Sequence, residues 1–486
     1  MALEWWLQFG ATEIANSARL AAYLQSVGSP LDSVTACGCE TFDAVLVGDE
    51  PYTTPEADGA PWYDPDVAES ADFAGLLVLS VDGLDDHPVQ RTVTRSAAGS
   101  AALGPARILP RTITVTAVLL GATCCAVNYG LRWLAQALEG CTGAGCGGCT
   151  GAGCAGGDLS LFNCCPAEFE EPDVFAAQHR RTLRRVALVE GPRVVARTGN
   201  GCTGSGGCST GADILTVEFV LTAATPWAWG DPVPVLDVQI PTDDGTECIT
   251  WCVHRSIDDP YDPVCIELGD TCPPGSVSVE LTDAACALPW PDRETLDLPC
   301  DTTCRLAACP DMDALCGDPT CRTPAPPVAP PPETCFCSAL AVNTAVYELD
   351  VSSRPGWFGA APLITLDAGS KALRHVTVTF FERREEHAGM SCEEVAEAER
   401  CNPHSVFEIA YVPVGGSVVL DGEVGRASVA CAGTWESSSD AYGRNGGPLQ
   451  FPLLDCPNYC VLIEADAIAT PADDATISIA LSGREY

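Results

Sequence analysis

At 486 residues, 47% of them hydrophobic, the chain is long enough for two to four domains and apolar enough to bury cores. Sixty-six acidic residues against 25 basic ones give a formal net charge of -41, which repels phosphates and anionic lipid and disfavours binding to nucleic acid or to an anionic membrane. No basic start with a following apolar run opens the chain and no membrane-length apolar stretch occurs, so neither a secretory signal nor a membrane span is expected.

The first stretch, residues 1–240, reads as β-rich with one helix. Gly75–Val81 and Ile113–Leu120 have strand composition; Ile113, Val115, Ala117 and Leu119 share one face of the second. Val127, Leu131, Leu134 and Leu138 recur at helical spacing and predict a helix from about Ala126 to Glu139. Strands are expected again at Thr182–Val189, Arg193–Ala196 and Ile214–Leu221.

Within this stretch, Cys141-Thr-Gly-Ala-Gly-Cys146-Gly-Gly-Cys149-Thr-Gly-Ala-Gly-Cys154 duplicates an eight-residue unit. Four thiolates at this density suit tetrahedral zinc; the preferred alternative is a glycine loop tied by two disulfides. Gly199-Asn200-Gly201-Cys202-Thr203-Gly204 matches a dinucleotide fingerprint in letters, but no helix follows to hold a pyrophosphate, so a hairpin loop closed by Cys202 and Cys208 is expected instead.

Residues 241–340 change character. Twelve of the 29 cysteines fall between Cys248 and Cys337, long apolar runs are few, and a Pro-rich spacer, Thr323–Pro332, closes the segment. So little core calls for staples, and the segment reads as a cysteine-rich connector. The odd cysteine total leaves at least one thiol unpaired in a metal-free monomer. Because cytoplasmic thiols stay reduced, the cysteines fit buried thiols, structural metal, or bridges formed after release into an oxidising medium.

From residue 341 to 486 the pattern is all β apart from a short helix near Glu393–Arg400. Alternation at Ala345–Val351 and Val376–Phe380, with strands at Val406–Val412, Ser417–Leu420, Tyr459–Ile463 and Ala475–Leu481, makes a sandwich the natural fold. His387, Cys392, Cys401 and His404 form the one mixed His/Cys cluster. Zinc would use all four, whereas the preferred reading is a Cys392–Cys401 disulfide with both histidines exposed; Cys456 and Cys460 likewise read as a staple at a strand entry. Trp357, Trp435 and Tyr442 are candidates for stacking on sugar rings, although packing in the sandwich or against a neighbour is preferred. No nucleophile elbow, His-Glu-x-x-His or Walker loop occurs, so no catalytic residue, enzyme activity or organic cofactor is expected.

Several stretches resemble actinobacteriophage (siphophage) minor tail proteins of the distal-tail type. They are Gly10–Leu24, Ala60–Asp64, Ser70–Leu76, Arg91–Arg95 and Leu215–Trp227 in the first part, and Pro362–Ser370, Tyr411–Gly416, Leu420–Gly422 and Ala475–Leu481 in the last. The resemblance implies a mainly β (β-rich α+β) chain: a ring-forming split β-barrel-like domain, then a galectin-like β-sandwich beyond the connector. It further implies a homo-oligomeric, usually hexameric, ring in the virion, made in the host cytoplasm. Its partners would be the tail tube protein, the tail-tip hub, other minor tail proteins and, as an alternative role, a host cell-surface glycan.

Overall fold

Alternating apolar residues are answered by strands, and the fold is mainly β. The computed structural model describes residues 6–29, 46, 52–95, 99–139, 156–166, 171–198, 213–242, three short strands between 250 and 280, and 342–352, 359–431, 434–466 and 470–485. The first part begins with β1 (Trp6–Phe9), β2 (Thr12–Asn16), α1 (Ser17–Ser26), α2 (Ala68–Ala71) and β3 (Phe73–Asp82). An outlying ribbon follows, made of β4 (Val89–Gln90), β5 (Val93–Arg95), β6 (Ala101–Leu103) and β7 (Arg107–Ile108). Next come β8 (Arg111–Gly121), α3 (Cys124–Glu139), β9 (Gly157–Phe162), α4 (Pro172–His179), β10 (Arg180–Thr198), β11 (Asp213–Ala223) and β12 (Ala228–Gly230).

These strands form an antiparallel sheet in the order β2-β1-β9-β10-β11-β8-β3. Its inner face is the alternation read from sequence: Ile113, Val115, Ala117 and Leu119 of β8 are buried beside Leu215, Val217, Phe219 and Leu221 of β11. The two strands expected at Thr182–Val189 and Arg193–Ala196 are one strand, β10. Register shifts between Leu188 and Arg193 absorb Gly191, which weakens a strand, and Pro192, which has no N–H to give to the ladder. β10 and β11 form the expected hairpin, but its loop, with Cys202 and Cys208, lies outside the described residues.

Helix α3 lies over this sheet because Val127, Leu134 and Leu138 all face it. Gly130 permits the approach: a Cβ there would stand 2.2 Å from the Phe73 ring. Gly130→Ala should therefore lower the unfolding temperature through an overpacking cost of about 1–3 kcal/mol, which outweighs the ~1 kcal/mol helix-propensity gain. A calorimetric scan checks the sign; a rise in unfolding temperature would contradict this packing.

The last strand before the cysteine-rich segment is β13 (Val233–Gln239); within the segment, β14 (Thr250–His254), β15 (Cys265–Leu268) and β16 (Val277–Glu280) pair in the order β15-β14-β16. The C-terminal part holds β17 (Val342–Asp350), β18 (Ala360–Asp367), β19 (Leu373–Glu382), α5 (Cys392–Ala398), β20 (Ser405–Val412), β21 (Ser417–Asp421) and β22 (Arg426–Cys431). It closes with β23 (Thr434–Ser437), β24 (Ala441–Tyr442), β25 (Asn458–Asp466) and β26 (Thr476–Glu485).

Two sheets face each other here, β17-β25-β19-β20-β24 and β13-β26-β18-β21-β22-β23. Ile364, Leu366, Ile477 and Ile479 of one interdigitate with Val378, Phe380, Phe407 and Ile463 of the other, as inner faces of a sandwich do. The sandwich takes its strand β13 from before residue 241. Ile240, just past β13, is buried in the sandwich core, so the cysteine-rich segment leaves the sandwich after its first strand and re-enters it at β17.

The two β units share a sheet. β12 pairs on one side with β10 (Arg181↔Gly230) and on the other with the end of β26 (Trp229↔Arg484). Backbone hydrogen bonds therefore run unbroken from one unit into the other.

Candidate functional site

The mixed His/Cys cluster expected around His387 is not assembled as a metal site or as the expected bridge. Cys392 opens α5, which packs on the outer face of the five-stranded sheet with Val395 and Ala396 against Phe381 and Cys460. That docking sets Cys392 over Cys460 with Cα atoms 5.4 Å apart, within disulfide reach, and the two are bonded. The expected pairs Cys392–Cys401 and Cys456–Cys460 are therefore both replaced by one bridge between helix and sheet. Cys401, past the helix, is an exposed thiol, and Cys456 is a half-buried one.

Neither histidine of the cluster is exposed, contrary to expectation. His387 is buried, its Nδ1 accepts the Arg384 backbone N–H (3.2 Å), and its Nε2 faces Glu399 Oε1 at 3.3 Å. An Nδ1 that accepts leaves the proton on Nε2, so both nitrogens have partners within the protein. The His404 side chain is 9% exposed and faces Glu382. Cys141, Cys146, Cys149 and Cys154, together with Trp357, lie outside the described residues.

Sequence reasoning missed the polar junction between the two β units. Arg184, on β10, reaches Asp158 Oδ2 (2.6 Å), Asp421 Oδ2 (2.8 Å) and Glu423 Oε2 (2.7 Å), the last two from the sandwich. Burial alone would pull the Arg184 pKa down, but Glu423, Asp158 and Asp421 together hold it above its usual value. Burial pushes Glu423 above the usual carboxylate range, partly offset by Arg184. Beside it Arg181 pairs in bidentate fashion with Glu485 (3.0 and 2.7 Å), and the Arg484 guanidinium stacks 3.8 Å from the Trp227 ring centroid.

A Cys–His contact was missed as well. Cys164 Sγ lies 2.8 Å from His179 Nδ1, and the same nitrogen faces Asn163 Oδ1 at 3.0 Å. One nitrogen cannot both take the thiol proton and donate to the amide oxygen, so this contact orients the ring without forming a nucleophile–base relay.

The outlying ribbon gathers several exposed apolar residues. β4 pairs with β7 and β5 with β6, yet Val93, Leu103 and Ile108 are 55, 68 and 53% exposed. Its base is anchored by Arg111, fully buried at the start of β8, whose Nε donates to the Pro226 carbonyl (2.9 Å) and whose Nη1 donates to that of Leu84. On the sandwich, Trp435 and Tyr442 are only partly covered by their own subunit, 48% and 39% exposed.

No known family model matches the chain, and no curated protein matches it. Among the solved structures similar to it is that of the SPP1 Dit (gp 19.1) protein. That crystal structure is described as a paradigm of the hub adsorption apparatus in phages that infect Gram-positive hosts. The likeness has a TM-score of 0.32 at 10% identity and covers 86% of this chain and 96% of that one. No helix among the described residues is long and apolar enough to cross a membrane.

Proposed function

We propose that the chain is a non-enzymatic structural protein of a long-tailed phage particle, closing into a ring of about six copies at the distal end of the tail. In that place it joins the tail tube to the tail-tip hub and lets DNA pass, with other minor tail proteins as further neighbours. The observation that carries the reading is the exposed ribbon. A two-stranded ribbon is marginal in water by itself, and this one presents valine, leucine and isoleucine to solvent. In a ring each ribbon is covered by the next subunit, which removes the apolar surface and the free strand edges together.

Two further features support the reading. The shared sheet β10-β12-β26 makes the two β units one rigid building block, as a load-transmitting ring requires. A net charge of -41 suits a channel that DNA slides through without sticking. The resemblance of Gly10–Leu24, Leu215–Trp227 and Ala475–Leu481 to distal-tail proteins supports the position in the particle.

Sedimentation velocity at micromolar concentration should show a species of about six subunits. The double variant Val93→Glu, Leu103→Glu should sediment as a monomer while keeping the wild-type circular dichroism spectrum. A monomeric wild type, or a variant that assembles as well as the wild type, would contradict the ring.

A glycan-binding role is a second reading, favoured by the exposure of Trp435 (48%) and Tyr442 (39%). A glycan array with the full chain tests it: binding that disappears in Trp435→Ala supports it, and a blank array removes it.

A further inference from the structure

One end of the five-stranded sheet gathers an unusual donor set. Glu382 is the last residue of β19 and pairs with Tyr459 of β25. His404 stands just before β20, held there by its backbone N–H donating to the Phe380 carbonyl (2.8 Å). Asp455 and Cys456 lie in the turn that leads into β25. Donor atoms of Glu382, Asp455 and Cys456 fall within 4.8 Å of one another, and His404 Nε2 is 3.9 Å from Glu382 Oε1.

The set is held in place by a fully buried tyrosine. The Tyr459 hydroxyl accepts the backbone N–H groups of Asp455 (3.0 Å) and Cys456 (3.1 Å) and donates to Asp455 Oδ1 (3.3 Å). Its ring meets the His404 ring edge-on at 5.2 Å. Arg384 Nε donates to Glu382 Oε2 (2.9 Å), which leaves Oε1 turned toward His404. Outer partners that fix the orientation of donors in this way are the usual companions of metal ligands.

The spacing at a buried histidine provides the second, independent sign. The His404 side chain is 9% exposed, its Nε2 is the nitrogen that faces Glu382, and 3.9 Å is too long for a direct hydrogen bond between them, which leaves room for an ion. His387, close by in sequence, uses both of its nitrogens. A surface cleft bordered by His404, Arg444, Gln450 and Pro452 gives an ion a way in.

We propose that Glu382, His404, Asp455 and Cys456 form a zinc site that ties the turn before β25 to the ends of β19 and β20. One thiolate, one imidazole and two carboxylates are a four-donor set that zinc takes tetrahedrally, whereas calcium and magnesium reject sulfur and nitrogen. Ligands about 2.0–2.3 Å from zinc stand roughly 3.5 Å apart; Glu382, Asp455 and Cys456 already lie within 4.8 Å of one another, and His404 reaches the group through Glu382 and must turn further in to complete the shell. The site differs from the His387–Cys392–Cys401–His404 quartet in three of its four ligands, and it does not depend on the ring.

The test uses the full chain, freed of metal with a chelator, and residue-specific alkylation by iodoacetamide read by peptide mass spectrometry. With zinc added, Cys456 should alkylate about tenfold more slowly while the exposed Cys401 keeps its rate. His404→Ala and Glu382→Gln should each weaken the zinc that gives half-protection by about 10–100-fold. Should His404→Ala fail to fold, Glu382→Gln alone decides. Equal alkylation of Cys456 with and without zinc, or unchanged protection in the Glu382→Gln variant, would overturn the site.

Discussion

Replacing Cys392 with serine should destabilise the C-terminal sandwich by about 4 kcal/mol. The bridge to Cys460 closes a loop spanning 68 residues, and a cross-link of that length removes about this much chain entropy from the unfolded state. The Cys460 thiol left behind sits among Phe381, Val395 and Ala396, a setting an unpaired thiol tolerates, so the loss reflects the cross-link itself. A calorimetric scan should show a fall of roughly 10 °C, and the reduced wild type should fall by a similar amount. The difference between wild type and variant should vanish under reductant. An unchanged unfolding temperature in oxidising buffer would mean that the bridge contributes nothing.

Arg184→Ala should cost about 3 kcal/mol at neutral pH, because it leaves Asp421 and Glu423 beside each other at the junction with no cation between them. The sign of the pH dependence follows from Glu423. Burial raises its pKa in the folded state and Arg184 pulls it back, so the attraction is fully present only where Glu423 is ionised. The deficit of the variant should therefore be largest near pH 7 and shrink as pH falls through the raised Glu423 pKa, where the protonated side chain no longer needs Arg184. The wild type should unfold in one calorimetric transition and the variant in two, since β12 then carries the coupling with only Arg181–Glu485 and Arg484–Trp227 beside it. A deficit that grows as the pH is lowered would contradict this account of the junction.

The strands that were legible in the sequence are those with one face in a core. Ile113–Leu119 and Val376–Phe380 alternate because β8 and β19 bury one side, and the helical spacing of Val127, Leu134 and Leu138 is that of α3. Helix α1 was not anticipated; the one helix expected in this part is α3. Asn16 accepts the Arg19 backbone N–H as a cap, and Leu20, Tyr23 and Leu24 are buried at helical spacing, so the segment carried a physical signal of its own. Strand β18 was hidden by Pro362, which argues against a central strand by rule but stands near the strand's beginning.

The cysteine pairing and the polar sites were not legible, because three-dimensional packing decides them. Nearness along the chain favoured Cys401 as the partner of Cys392, but helix α5 carries Cys392 over a strand 68 residues away. Arg184 meets its sandwich partners across 237 residues. Glu382, His404, Asp455 and Cys456 come from three separate segments, and spacing rules for metal ligands cover only donors that lie close together in the chain.

The central claim is that the fused β units form one subunit of a closed ring held by the exposed ribbon. Electron microscopy of the purified chain tests it most directly. Class averages should show closed rings of about six subunits with a central channel, and each ribbon should lie against the neighbouring subunit. Single separate particles, or rings in which the ribbon points free into solvent, would contradict it.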